Sequence, residues 1–299
     1  MSRRVPRFRS VSRGGVARLL CRLCGLFAVV LLSFSQARGQ ADAQSSATPA
    51  RAADLETANA VAPGTMAPLL LARQSVQHFF ERSANVVSTE SITQEILGKN
   101  EKPFYREEAQ FNYQLQASTA SGSLKLVESR DARKASFRDP SRTLLITNGF
   151  ASMLLIVHPN YETSYRFEPA GDEVVDGVTF AKIAFKAIPG AASPAALQLR
   201  GKNYPIPLSG TLWIDPKTGA VSKLVTVTDS SLSDLGLQGM RSEIHYANVQ
   251  FHDPDETYWM PTSAVIDVQT PRQHWRNVHR FSEYRRFRAT IEVEFKDKP

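Results

Sequence analysis

Past residue 39 this 299-residue chain contains no cysteine. That excludes a disulfide, a thiolate nucleophile and a cysteine metal site from residues 40–299. Their stability has to come from a packed core, and about 260 residues suffice for one sizeable domain. The first 39 residues lack something else: they hold eight Arg and no Asp or Glu. Setting those eight aside leaves 28 basic and 29 acidic residues, a net charge of −1 against +7 for the whole chain. The basic balance therefore belongs to the N-terminal stretch and gives no argument for nucleic-acid binding by the rest. Several motifs are also missing: G-x-S-x-G, H-E-x-x-H, G-x-x-x-x-G-K-[ST] and G-x-G-x-x-G. Nothing points to a hydrolase elbow, a zinc protease, a phosphate loop or a dinucleotide fold. No cofactor or metal is expected.

What is present at the N-terminus is a targeting layout. Arg3, Arg4, Arg7, Arg9, Arg13, Arg18 and Arg22 precede an apolar run over 23–34, and Ala37-Arg38-Gly39 follows with small residues. That is a secretory signal peptide, with an uncleaved anchor as the alternative. The run falls short of the ~20 apolar residues of a membrane span. Cys21 and Cys24 lie inside this segment. Their C-x-x-C spacing is incidental to export and is no redox motif. Residues 40–68 are rich in Ala, Ser, Thr, Gln and Pro and read as a disordered linker. Residues 69–299 read as one domain, exported to the periplasm or an equivalent compartment, and as a monomer.

The domain starts with a helix. Leu69, Ala72, Val76, Phe79 and Phe80 recur at three- and four-residue spacing, with Arg73, Gln74, Gln77 and Glu81 between them. From 86 onward the period is two. Strands are expected at 86–97, 109–117, 124–130, 161–167, 172–175, 178–188, 242–251, 263–268 and 274–295. Asp176-Gly177 predicts a tight hairpin turn. The apolar run 150–158, ended by Pro159, predicts a short buried helix, and 189–210 a long loop. Gly210 to Asp229 predicts a hairpin. In it Leu212 and Ile214 take one face, Asp215-Pro216-Lys217-Thr218-Gly219 turns the chain, and Val221, Val225 and Val227 return on the apolar face. Hairpin-linked strands without βα alternation imply antiparallel pairing. The fold class is α+β: a strongly curved antiparallel sheet, an unclosed half-barrel, with helices on its concave face.

Three segments resemble a known family in their order: Gly177-Val-Thr-Phe-Ala-Lys-Ile-Ala-Phe185, then Gly210-Thr-Leu-Trp-Ile-Asp-Pro-Lys-Thr-Gly219, then Tyr258-Trp-Met-Pro261. The chain is similar to the LolA/LolB-like superfamily, which includes periplasmic lipoprotein carriers, mycobacterial lipid-carrier lipoproteins and RseB-type sensors. The resemblance covers roughly 69–295, with a longer loop at 191–209 than the compact carriers have. It implies a half-barrel plugged by helices, and lipid or an acylated lipoprotein as partner. In the sensor branch it implies a membrane protein of the envelope as partner.

On that reading Phe79, Phe80, Phe111, Tyr113, Leu115, Leu212 and Ile214 are the candidate lining of an apolar cavity, and the same residues serve equally as plain core. A third reading is a hydrolase built from loop residues, with His158, His245 or His252 meeting an acid. The run His252-Asp253-Pro254-Asp255-Glu256 offers oxygen ligands for a cation but equally suits a solvated turn. Arg272, Arg276, Arg280, Arg285, Arg286 and Arg288 alternate with Trp275, Phe281, Tyr284 and Phe287. With a neutral domain this reads as a sheet face whose Arg stems cover aromatic surface, or as contact with anionic headgroups, and no nucleic-acid partner is expected.

Overall fold

The computed structural model describes residues 66–82, 85–118, 124–134, 149–199, 202–228, 230–252 and 255–286. The expected signal peptide, almost all of the expected linker and the end of the last expected strand lie outside them. Helix α1 is Ala67–Arg82. Pro68 falls in its first turn, where a missing N–H costs nothing. Leu69, Ala72, Val76, Phe79 and Phe80 point inward and are each 6 % exposed or less. The strands follow as β1 (Val86–Leu97), β2 (Pro103–Ser118), β3 (Lys125–Lys134), β4 (Tyr165–Val175), β5 (Val178–Ala187), β6 (Ala196–Leu199), β7 (Lys202–Pro205), β8 (Leu208–Ile214), β9 (Val221–Thr228), β10 (Gly239–His252), β11 (Asp255–Gln269) and β12 (His274–Arg286).

Ten of these strands form one sheet in the order β3-β2-β1-β12-β11-β10-β9-β8-β5-β4, and β6 pairs only with β7. Among the described residues every pairing is antiparallel, β3 and β4 are the edges, and the sheet does not close. This is the unclosed, curved α+β architecture expected. Its concave side is filled by α1 and by two 3-10 segments, Ser152–Val157 and Pro159–Ser164. Helix α1 reaches β2, β8 and the first of these segments.

Four expectations change in detail. The apolar run at 150–158 forms a 3-10 segment in place of an α-helix, and all six residues of Ser152–Val157 are buried. His158 is extended at ψ 143, as a residue before proline should be, which ends the segment there. The loop at 189–210 holds the β6–β7 hairpin and the start of β8. Two expected strands, 161–167 and 172–175, are one strand β4, broken by a register shift between Pro169 and Asp172. In β9 a bulge between Trp213 and Ile214 of the partner strand reverses the phase. Leu224 and Thr226 turn inward at 0 % and 1 % exposure, while Val227 is 39 % exposed on the other face. A single extra residue moves every later side chain to the opposite face, and alternation alone cannot reveal that.

The hairpin at β8–β9 is held by its turn chemistry. Asp215 Oδ1 accepts from the Lys217 N–H at 2.8 Å and Oδ2 from Thr218 Oγ1 at 2.9 Å. Asp215 is thus a turn residue. Gly219, at φ +73, lies directly on α1: a Cβ there would stand 2.3 Å from the Leu71 carbonyl carbon. Trp213 faces outward and is covered by the Lys223 ammonium, 3.8 Å from its ring centroid. Gly219→Ala combines a left-handed backbone with a collision, so it should destabilise by more than about 1 kcal/mol. It should also speed hydrogen exchange of the α1 amides around Leu71 and Ala72. Unchanged exchange in α1 would mean that the hairpin tip does not seat the helix.

Candidate functional site

The concave face has two halves of different chemistry. One is an apolar cavity of about 300 Å³ under α1. Ser75, Val76, His78 and Phe79 of α1 form one wall, with Leu154 of the 3-10 segment below. Ala220 and Val221 come from the hairpin tip, and Glu256, Thr257, Tyr258 and Trp259 from the start of β11. β9 and β11 both run antiparallel to β10, so their first residues meet at the same rim of the sheet. Val76, Phe79, Leu154, Ala220, Val221 and Tyr258 are buried, whereas Ser75, His78, Glu256, Thr257 and Trp259 are partly or fully exposed. The cavity therefore has an apolar floor and a polar mouth.

One flank of the cavity is an aromatic cluster clamped by an ion pair. The Tyr258 ring meets Phe79 at 6.2 Å and Phe251 at 5.9 Å between centroids. The Arg286 guanidinium lies over Phe251 and Tyr258 at 5.4 and 4.8 Å, and its Nη1 is 2.6 Å from Glu256 Oε2. Tyr258 donates to the same Glu256 oxygen at 2.5 Å. Burial, together with that bond to a carboxylate, holds the Tyr258 phenol above its ordinary range. Arg286 reaches this place through a bulge. Opposite β1 one extra residue is inserted in β12, and Glu283 takes φ 55 there, anchored by Thr89 Oγ1 at 2.7 Å. Upstream of the bulge Trp275 and Phe281 point inward and Arg276 and Arg280 outward. Beyond it the phase changes, and Arg286 turns toward the aromatic cluster. Phe287 and Arg288 lie outside the described residues.

The other half is a buried charge network across β1, β2, β3 and β12. Arg130 grips Glu90 with two guanidinium nitrogens, the Nη2–Oε1 contact being 2.7 Å. His279 Nδ1 stands 2.8 Å from Glu90 Oε1. The Glu90 side chain is 0 % exposed, that of His279 1 % and that of Arg130 9 %. Two residues along β3, Glu128 accepts from Tyr113 at 2.6 Å, from the Ser152 N–H at 2.7 Å and from Ser152 Oγ. Tyr246 donates to the Phe150 carbonyl at 2.8 Å, and the Phe150 ring sits 4.7 Å from the His279 ring. Burial alone would raise the Glu90 carboxyl, but Arg130 and His279 outweigh it and hold it below its ordinary range. Burial dominates at Glu128 and pushes it up, against its three donated bonds. Burial also pushes His279 down, against the pull of Glu90.

Of the seven expected lining residues, Phe79 alone borders the cavity. Phe80, Leu115, Leu212 and Ile214 are core at 1 % exposure or less, and Phe111 is half-buried. Tyr113 belongs to the charge network. The histidines do not assemble with one another. His158 caps the second 3-10 segment by accepting from the Asn160 N–H at 3.1 Å. His245 pairs with Glu243, and His252 lies 3.6 Å from Asp255 at the exposed end of β10. Asp253 and Pro254 lie outside the described residues. Among the described residues no three of His, Asp and Glu gather as a metal-holding group, and no helix is long and apolar enough to cross a membrane. Val76, Leu154, Ala220, Val221 and Tyr258 at the cavity had no distinguishing signal in the sequence. Neither did Glu90, whose partners Arg130 and His279 are 40 and 189 residues away.

No protein-family model matches the chain, and no curated protein matches it. Solved structures do. A DUF1329 family protein from Desulfovibrio piger has 13 % identity, covering 75 % of this chain and 93 % of its own, at a TM-score of 0.40. A domain from Vibrio parahaemolyticus assigned as an outer membrane lipoprotein-sorting protein has 14 % identity with the same coverage and a TM-score of 0.38. A LolA superfamily protein from Nitrosomonas europaea has 12 % identity, covering 73 % and 94 %, at 0.34. LolA-type proteins are thus among the structures this chain is similar to, the family that the Trp213-Ile214-Asp215 hairpin resembled.

Removing one partner of the buried pair leaves an uncompensated charge. Glu90→Gln should cost ~3–5 kcal/mol in chemical denaturation, and Glu90→Leu combined with Arg130→Met should recover most of it. A double variant no better than the single one would contradict the pairing. The depressed His279 acts in the same direction as a salt-bridged carboxylate, but in a higher pH window. As pH falls through the ordinary histidine value of 6.5, the unfolded chain takes the proton before the folded one, and stability is lost. His279→Gln should therefore lose less melting temperature than the unmodified protein between pH 7.5 and about 5.5. An equal or larger loss would show that the buried ring does not supply that gradient.

Proposed function

We propose that this chain is an exported, non-enzymatic carrier that shelters the apolar part of a lipid or of an acylated lipoprotein in the cavity under α1. The observation that carries the reading is the cavity itself: about 300 Å³, the lower end of the range for small-molecule sites, with an apolar floor and a polar mouth. A core that served stability alone would gain by filling such a space, because lining atoms without partners forfeit packing energy. Two further features support it. The first 39 residues have the layout of an export signal. The wall formed by α1 is one surface of a helix fastened mainly by apolar packing, with one ion pair, Arg73 to Glu162, on its other side.

Protein purified gently from its host envelope should release lipid on organic extraction and show a ligand-loaded species in native mass spectrometry. Val76→Trp places an indole in the cavity and should reduce loading at least tenfold at an unchanged circular dichroism spectrum. A protein that neither carries nor accepts any lipid, with Val76→Trp no different from it, would end this reading.

A further inference from the structure

We propose that the tip of the β4–β5 hairpin is a docking arm for a partner protein, and that it takes an extended segment of alternating apolar and basic side chains along the open edge of β4. The arm is separate from the cavity, and its role does not depend on lipid binding.

The hairpin is longer than the sheet that carries it. β5 pairs with β8 only over 181–186, so among the described residues 172–180 pair only with each other. This overhang passes Ile214, the end of β8, at the rim where the β8–β9 turn meets α1. A two-stranded hairpin is marginal in water by itself. Here the two-residue turn Asp176-Gly177, with φ 51 and 79, matches the twist of its strands. Yet Val174, Val175 and Val178 are 67, 38 and 49 % exposed. The other exposed large apolar side chains of the described residues, Leu70, Phe104, Val127 and Val227, stand singly on four different elements, as is ordinary on a surface. Three together on an overhang are too far out to serve the core.

The two faces of the arm define what covers it. Cross-strand pairing places Val175, Val178 and Phe180 beside Glu173 on the outer face, where Lys182 and Lys223 answer the Glu173 carboxylate at 3.5 and 3.6 Å. That face calls for apolar groups. On the inner face Val174 neighbours Asp172, and among the described residues no ion pair reaches Asp172, Asp176 or Glu168. That face calls for basic groups whose stems can lie on Val174. An extended segment sends successive side chains to opposite faces, so alternating apolar and basic residues meet both demands. Its backbone also has a place to bond. Val175 and Val178 close the turn as a hydrogen-bonded pair, which leaves the N–H and C=O of Val174 and Asp172 turned to the open side. Nearer the core, Pro169 and the bulge before Asp172 interrupt that edge, and both features protect exposed strands from pairing. The tip has neither. A second copy of this chain fits poorly, because antiparallel pairing centred on Val174 sets Asp172 opposite Asp176. The same acids repel anionic headgroups.

NMR titration with capped peptides of about eight residues, an ordinary strand length, tests the arm. A peptide alternating valine and lysine should bind and slow hydrogen exchange of the Val174 amide. One of the same composition, with valines and lysines in separate blocks, should leave that amide unchanged. Val174→Pro removes the outward donor at an edge position that tolerates proline, and should abolish binding at an unchanged circular dichroism spectrum. Asp172→Lys keeps every backbone group. It should weaken the valine–lysine peptide and strengthen a valine–glutamate peptide, each by about threefold, the scale of one cross-strand charge pair. Equal affinity of the unmodified protein for the two alternating peptides, binding that leaves Val174 exchange unmoved, or no binding of the valine–lysine peptide at millimolar concentration would overturn the proposal. A dimer that protects the Val174 amide without peptide would overturn it in favour of a second copy. Sedimentation with anionic vesicles that Val174→Pro abolishes would overturn it in favour of a membrane.

Discussion

The carboxylate of Glu128 is the tie on which the interior of this sheet depends. It binds the N–H and hydroxyl of Ser152 and the phenol of Tyr113, and so fixes the first 3-10 segment to β2 and β3. Without that anchor the N–H and hydroxyl of Ser152 and the phenol of Tyr113 would lack this partner in a dry interior. With it, Phe150 lands between the rings of His279 and Phe281, and Leu154 faces α1. The helix in turn rests on the 3-10 segment and receives the β8–β9 hairpin on its backbone at Gly219. A single buried acid thus propagates through two layers to the wall of the cavity.

Burying charge is an expensive way to organise a core, and apolar replacements of the same shape often do as well or better in stability. What a charge network adds is directionality. The bidentate grip of Arg130 on Glu90 and the single orientation in which His279 meets it define how β1, β3 and β12 stand across the sheet. Apolar side chains would have allowed several packings. The cavity lies in the other half of the concave face, against the apolar side of α1.

The periodic features were legible in the sequence. Helix α1, the bounds of β1 at Val86–Leu97, the Asp176-Gly177 turn with both residues at positive φ, and the Asp215 turn follow from local chemistry. The misreadings have two physical origins. Bulges at β9 and near Glu283 shift the phase of alternation, so Val227 and Arg286 occupy faces opposite to those that simple counting assigns. Long-range pairing accounts for the rest. Glu90 sits in an alternating run, Ser88-Glu90-Gln94, that looks like a wet strand face, and only partners far along the chain make it an interior one. The candidate lining residues were chosen for apolarity, which core and cavity share. What separates Phe79 from Phe80 is geometry at one rim of the sheet, and no local pattern encodes it.

The pairing of β1 with β12 has a consequence in time. These strands stand third and fourth of ten in the sheet, yet their paired residues lie up to about 200 positions apart in the chain. The β1–β2–β3 meander can form early from local contacts, but its free edge has no cover until almost the whole chain is present. Closing so long a loop is entropically slow, and folds dominated by such contacts fold late and as a unit. The seam between β1 and β12 therefore waits on a loop closure of about 200 residues. The seam is also where Glu90 meets His279, so the charge network can form only when the chain is complete.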